Sequence, residues 1–353
     1  MQRNFILTDV MKTGDPMDLQ SFISMHTITN QSFDMDCEYY TLHQYDLDSY
    51  DRRFAIIDVR DVNQRLIHNN HFISELYRRV ELLKSQGFVF IKATPWESLH
   101  NINGGSPRGD GKGPVEFYPE VDVEHVKWTG GTSWFWYYMY NKHKDKSFNF
   151  VHDNKKYDFL YLNKGSRSHR QRLIEKIKPL MQNSLFTDWP NKKLPPEYEL
   201  PWAQEYPQFG MDQDIYEKPY NDTKYSLVSE TNDVGNEVFM TEKIWKAIIA
   251  KHVFVVHGNY LYLQKLREMG FKTFGSYINE SYDLELHRGK KIDQINDVCK
   301  KLISMNWQDL YLQTKALRQH NHDLFFNKEK LSLEINKTLE LFLEFADTGQ
   351  VPS

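Results

Sequence analysis

The sequence predicts an α/β protein with two successive doubly wound halves and a helical tail. Short apolar runs rich in branched residues alternate with segments whose apolar positions recur at helical spacing. The alternation occurs twice, on either side of a stretch dense in glycine and aromatic residues, and from Asp293 onward the pattern is helical alone. At 353 residues the chain is long enough for two ordinary domains. The division expected is 1–150, 151–330 and a C-terminal segment 331–353.

In chain order, "RFAIIDV" (Arg53–Val59) reads as a buried strand. "HFISELYRRVELLKSQG" follows with Ile73, Leu76, Tyr77, Val80 and Leu83 on one helical face, and Gly87 as its stop. "FVFIKATP" is a second strand, ended by Pro95, which completes a strand–helix–strand unit of a parallel sheet. The glycine-rich "NINGGSPRGDGKGP" is not a phosphate loop. Ser106 stands where the first glycine is needed, and Gly113 where Ser or Thr is needed. "WTGGTSWFWYYMY" (Trp128–Tyr140) reads either as core or as a stacking wall for a sugar or base. In the second half, "KKYDFLYLN" is a strand and "RSHRQRLIEKIKPLM" a helix burying Leu173, Ile177, Leu180 and Met181. Residues 187–224 form a long connection. "YSLVSE", "TEKIWKAIIAK", "VFVVHG" and "NYLYLQKLREMG" then read as strand, helix, strand and helix, the last stopped at Gly270.

Composition narrows the function classes. With 40% hydrophobic and 26% charged residues the chain has the make-up of a soluble globular protein. A net charge of −4 offers no global attraction to nucleic acid. The two cysteines, Cys37 and Cys299, are too few for a disulfide framework. The start lacks the apolar core of a signal peptide, and no apolar run is long enough to span a bilayer, so a cytoplasmic location is expected.

The chemistry is expected where strands hand over to helices, because ligands of an open parallel sheet bind beyond the strands' carboxyl ends. Glu230 ends one strand. Thr241 is placed to cap the next helix through its hydroxyl, with Glu242 in the first turn. A helix dipole accounts for Glu242. It does not account for Lys243, whose charge is at the wrong end unless an anion is held there. The same anomaly recurs in "NKGSRSHRQR", with Lys164, Arg167, Arg170 and Arg172, where Arg167 and Arg170 share a helix face and could hold a phosphate.

"SETNDVGNEVFMTEKIWKAI" resembles the donor-binding motif of the α1,3-fucosyltransferase family, in which a strand ending Phe-Glu-Asn is followed by a Thr-Glu-Lys-Leu-Trp helix. It is more similar still to glycosyltransferase-like proteins of phages and large viruses. Those share the pattern of Leu162–Arg170 and of Gly270–Phe274 with Glu280–Asp283. The resemblance covers roughly residues 156–285. It implies a GT-B glycosyltransferase: two Rossmann-like domains facing across a cleft, a nucleotide-sugar in the C-terminal one, and a C-terminal helix crossing back to the N-terminal one. On that implication Glu242 holds ribose hydroxyls, Lys243 with Arg167 or Arg170 the diphosphate, and Glu230 the sugar or ribose, with Thr241 and Asn232 in the same donor-binding set. Phe239 stands where the fucosyltransferase pattern has tyrosine, a departure that weakens the resemblance for fucose and for guanosine diphosphate.

An inverting transfer needs a base for the acceptor hydroxyl. Glu97 is the leading candidate and His100 the second, ahead of Asp110, Asp122 and His125. No cofactor or metal is expected. "DMD" (Asp34–Asp36) lacks a clear preceding strand, His320, His322 and Asp323 diverge on a helix, and His252 and His257 read as core. For the acceptor, the phage-type resemblance favours a hydroxymethylated pyrimidine in double-stranded DNA, flipped out against the aromatic stretch and the loop of Arg108 and Lys112. A glycan such as a surface polysaccharide is the alternative, and a non-catalytic nucleotide-sugar binder a further one.

Overall fold

A computed structural model describes residues 5–9, 33–34, 52–58, 70–94, 125–129, 132–163, 167–188, 192–198, 214–231, 233 and 238–348. The chain is α/β and divides into two compact units, Met1–Trp134 with Glu329–Ser353, and Phe135–Lys328.

The first unit holds β1 (Phe5–Asp9), β2 (Phe33–Asp34), β3 (Arg52–Asp58), α1 (Asn70–Ser85), β4 (Val89–Thr94) and β5 (His125–Thr129). Its strands are all parallel in the order β2-β1-β3-β4-β5, that of an open doubly wound sheet. Val80 and Leu83 of α1 are buried as expected. The helix stops at Gly87, whose φ of 76° is a conformation glycine adopts without cost. Three strands were missed. β1 is a brief apolar run, β5 ("HVKWT") mixes charge with apolar residues, and β2 is two residues long. Neighbouring strands, rather than local propensity, select them. β2 also supplies the strand at Asp34 that the Asp-x-Asp reading had found lacking.

The second unit begins within α2 (Ser133–His143) and continues through β6 (Tyr157–Tyr161), α3 (Ser168–Ile177), a 3-10 turn (Lys178–Asn183) and β7 (Leu185–Phe186). Next come α4 (Glu217–Asp222), β8 (Thr223–Ser229), α5 (Glu242–Ile249), β9 (Val253–His257) and α6 (Tyr262–Glu268). Helices α7 (Arg288–Ser304), α8 (Trp307–Gln313) and α9 (Lys315–Phe325) close the unit, and α10 (Lys328–Thr348) follows. The sheet is parallel, in the order β7-β6-β8-β9. All five residues of β9 are buried, as a sheet covered on both faces requires. The order reverses between β6 and β8. Leu180 departs from expectation: α3 gives way to the tighter 3-10 turn at Lys178, beside Pro179, which rotates Leu180 to a half-buried position while Ile174 takes its place inside. The expected connection 187–224 contains α4, which runs directly into β8.

Among the described side chains, the aromatic stretch is mostly core. Phe135, Trp136, Tyr137, Met139 and Tyr140 are buried along α2. The Trp136 ring stacks on Trp245 at 5.6 Å, meets the edge of Phe271 at 5.0 Å, and its indole N–H donates to the Phe325 carbonyl at 2.8 Å. Trp136→Ala is expected to destabilise the second unit by roughly 3–5 kcal/mol, read as a lower midpoint in urea unfolding followed by tryptophan fluorescence.

Candidate functional site

In sheets of this order the ligand crevice lies beyond the strand ends where the order reverses. Here that point is the carboxyl ends of β6 and β8, with Asn163 two residues beyond the first and Glu230 directly after the second. Arg167, just before α3, and Lys243, in the first turn of α5, come from different strand–helix junctions. Both reach Thr231: Arg167 Nη1 donates to its carbonyl at 2.9 Å, and Lys243 Nζ lies 3.5 Å from its hydroxyl. Lys243 also donates to Glu242 Oε1 at 2.6 Å and Thr241 Oγ1 at 3.0 Å. Burial pushes the Glu242 carboxyl up, but Lys243 and Lys246 outweigh it and hold the group below its usual range.

Arg170 is placed differently from Arg167. It is buried, with Nε and Nη2 on the Glu230 carbonyl at 3.2 and 3.0 Å and Nη1 on Asn163 Oδ1 at 3.0 Å. Its planar fork therefore joins the ends of β6 and β8. His169 adds Nε2 to the same carbonyl at 3.0 Å, while its Nδ1 lies 3.7 Å from Asp233. Burial keeps the His169 imidazole below its ordinary pKa against the pull of Asp233.

Glu230 is fully buried. Its Oε1 accepts the Thr241 N–H at 3.2 Å and the Tyr262 hydroxyl at 2.6 Å, and its Oε2 accepts the Thr241 hydroxyl. Burial raises its pKa, opposed by Lys243 and these donors. Thr241 does occupy the N-cap position of α5, yet its hydroxyl caps no backbone N–H. The expected cap fails because the buried Glu230 carboxyl takes the hydroxyl proton instead. Tyr262 in turn lies hard against Gly258. A Cβ on Gly258 would sit 2.6 Å from its ring.

Sequence reasoning missed His169, Asp233, Tyr262, Arg288 and Lys291. Arg288 pairs with Asp233 at 3.0 Å, and buried Lys291 donates to the Gly258 carbonyl at 3.1 Å. A signal for both was present: "HRGKK" opens α7 with cations and no acid, the anomaly already noted at two other helix starts. Tyr262 carried no local signal. In the segment Gly270–Asp283, Glu280 accepts from Thr273 Oγ1 and Phe274 N, and Asp283 accepts from Leu263 N and Gln264 N at the start of α6. Glu97, His100, Asp110, Asp122 and Asn232 lie outside the described residues, as do Lys164, Arg108 and Lys112, and His125 opens β5. Among the described residues no cluster of three or more His, Cys, Asp or Glu is placed to hold a metal, and no helix is long and apolar enough to cross a membrane.

No protein-family model matches this chain, and no curated protein matches it.

Two predictions follow from the packing of β9 and the loop after it. Gly258→Ala is expected to cost roughly 1–3 kcal/mol through overpacking, measured by denaturant unfolding, and Tyr262→Ala in the same chain should recover room for it. The second concerns acid. His257 is buried, with Nε2 lacking a hydrogen-bond partner, and burial reinforced by His169 and Lys291 lowers its pKa to about 3. The folded state keeps this imidazole neutral, whereas the unfolded chain protonates it near pH 6.5. Its contribution to stability is therefore complete above that pH and is lost as pH falls from 6.5 towards 3, at most about 5 kcal/mol. Urea midpoints measured across that window should fall steeply in the wild type and less steeply in His257→Gln.

Proposed function

We propose that the second unit binds a nucleotide-sugar through its diphosphate, and that the chain is a glycosyltransferase of GT-B type moving the sugar to an acceptor hydroxyl. One observation carries the reading: Arg167 and Lys243, from separate strand–helix junctions, converge on Thr231 where the sheet order reverses. A diphosphate at Thr231 would accept from both, with the N-terminus of α5 aimed at it. As the sugar–oxygen bond breaks, the departing nucleoside diphosphate gains charge, and fixed cations stabilise that change more than they stabilise the bound donor. Glu242 is assigned the ribose hydroxyls, within reach of the same lysine. Glu97, with His100 behind it, is assigned the acceptor proton. Two units, each with a parallel sheet, agree with a GT-B chain.

The acceptor is a hydroxyl of hydroxymethylated DNA or of a glycan. Burial of most of α2 removes one support for an extruded base, because Trp136 and its neighbours are inside the fold. Both acceptors therefore belong in the assay.

A thermal-shift panel of UDP-, GDP-, ADP- and CMP-sugars tests the donor site. At a hundredfold excess over Kd a bound donor adds about 2.7 kcal/mol, or roughly 5–10 °C for a unit of this size. One nucleotide is expected to produce that shift in the wild type and to lose it in Lys243→Ala and in Arg167→Ala. No shift with any of the four at millimolar concentration would overturn the reading. The sugar that binds is then offered with hydroxymethylated DNA and with glycans, and transfer is read by mass.

A further inference from the structure

The ammonium of Lys243 is held from behind by a chain of hydrogen bonds that begins in the core. A hydroxyl has one proton to give. Thr241 gives its proton to Glu230 Oε2, since the same hydroxyl oxygen accepts from the Lys243 ammonium, which has only protons to offer. Its lone pairs are thereby turned towards Lys243 Nζ, which donates into them at 3.0 Å. Glu230 is itself fixed at Oε1 by the Thr241 N–H at 3.2 Å and the Tyr262 hydroxyl at 2.6 Å. Tyr262 has little freedom. Leu261, just before it, holds a left-handed φ of 61° and donates its N–H to the Asp283 carbonyl at 3.0 Å, while the Asp283 carboxylate accepts the N–H groups of Leu263 and Gln264, just after it.

We propose that Tyr262 and Glu230 are positioning residues for the phosphate-binding ammonium of Lys243, acting through the orientation of the Thr241 hydroxyl. This rests on the reading of Lys243 as a grip on diphosphate. Lys243 has three oxygens around it, Glu242 Oε1 at 2.6 Å, Thr241 Oγ1 at 3.0 Å and Thr231 Oγ1 at 3.5 Å. While the hydroxyl points its lone pairs outward, the ammonium stays between Thr231, Thr241 and Glu242, within reach of the point that Arg167 also addresses. Replace the Glu230 carboxylate by an amide and the nitrogen becomes a donor. The Thr241 hydroxyl then turns its own proton towards Lys243, and the ammonium withdraws onto Glu242. Tyr262→Phe produces a milder version, since Glu230 loses its shortest described phenolic donor and nothing else changes in volume. Glu230 thus influences a ligand that it does not touch.

The test is calorimetric titration with pyrophosphate, and with UDP, GDP, ADP and CMP, of wild type, Lys243→Ala, Tyr262→Phe, Glu230→Gln and Leu266→Ala. Leu266 is a fully buried residue of the same helix, outside the network, and serves as the stability control. Each titration is run well below that variant's melting point. Tyr262→Phe is expected to weaken pyrophosphate binding roughly three- to tenfold, and Glu230→Gln at least as much, with Leu266→Ala binding as the wild type does. If Glu230→Gln does not fold, Tyr262→Phe decides alone, since it removes a single hydroxyl. Loss of binding in Lys243→Ala with wild-type affinity in Tyr262→Phe would overturn this inference and leave the donor site standing. So would equal losses in Tyr262→Phe and Leu266→Ala. A wild type that binds neither pyrophosphate nor any nucleotide would overturn the donor site and this inference together.

Discussion

The second unit turns on one buried carboxylate. Glu230 directly follows β8 with no exposed surface, and a carboxyl in that position is tolerated only if hydrogen-bond donors surround it. The fold supplies them from two directions, Thr241 ahead of α5 and Tyr262 at the start of α6. The main-chain carbonyl of the same residue is held by Arg170 and His169 from α3. One residue therefore ties the starts of three helices to the end of one strand. The positions of Arg167 and Lys243 are consequences of that knot.

Cations at helix starts are the second theme. They oppose the helix dipole, and three helices of this unit carry them: Arg170 and Arg172 in α3, Lys243 in α5, Arg288 and Lys290 in α7. The structure resolves the anomaly in more than one way. Arg170 joins two strand ends through a carbonyl and an amide, Arg288 pairs with Asp233, and Lys243 pairs with Glu242. Arg167 and Lys243 nevertheless meet at Thr231, which is why the anion reading attaches to that point and not to every basic helix start.

Much of this was legible in the sequence, and the illegible part has physical causes. β8 and β9 read clearly because each is a short run built around apolar residues, α5 because its apolar residues keep helical spacing, and α1 because Gly87 marks its end. β1, β2 and β5 did not, since their sheet positions depend on partners far along the chain. At the site, residue type and place were readable, but direction was not. Thr241 was expected to accept a backbone proton and instead donates to a side chain, because the carboxylate it faces is eleven residues away and only the fold brings them together. Tyr262 is thirty-two residues from Glu230 and looked like one more apolar helix position.

Gly258 shows how such a network constrains what the chain can become. Its backbone is not in the left-handed region that ordinarily explains a glycine. What it lacks is room, because the Tyr262 ring occupies the place of a side chain. Positions 258 and 262 are therefore not free to drift independently. Among related chains, glycine at the first should accompany an aromatic ring at the second, and a larger residue at 258 should appear only where 262 has become small. The tyrosine that steadies Glu230 thus carries a hereditary cost four residues upstream, at a glycine that its ring leaves no room to replace.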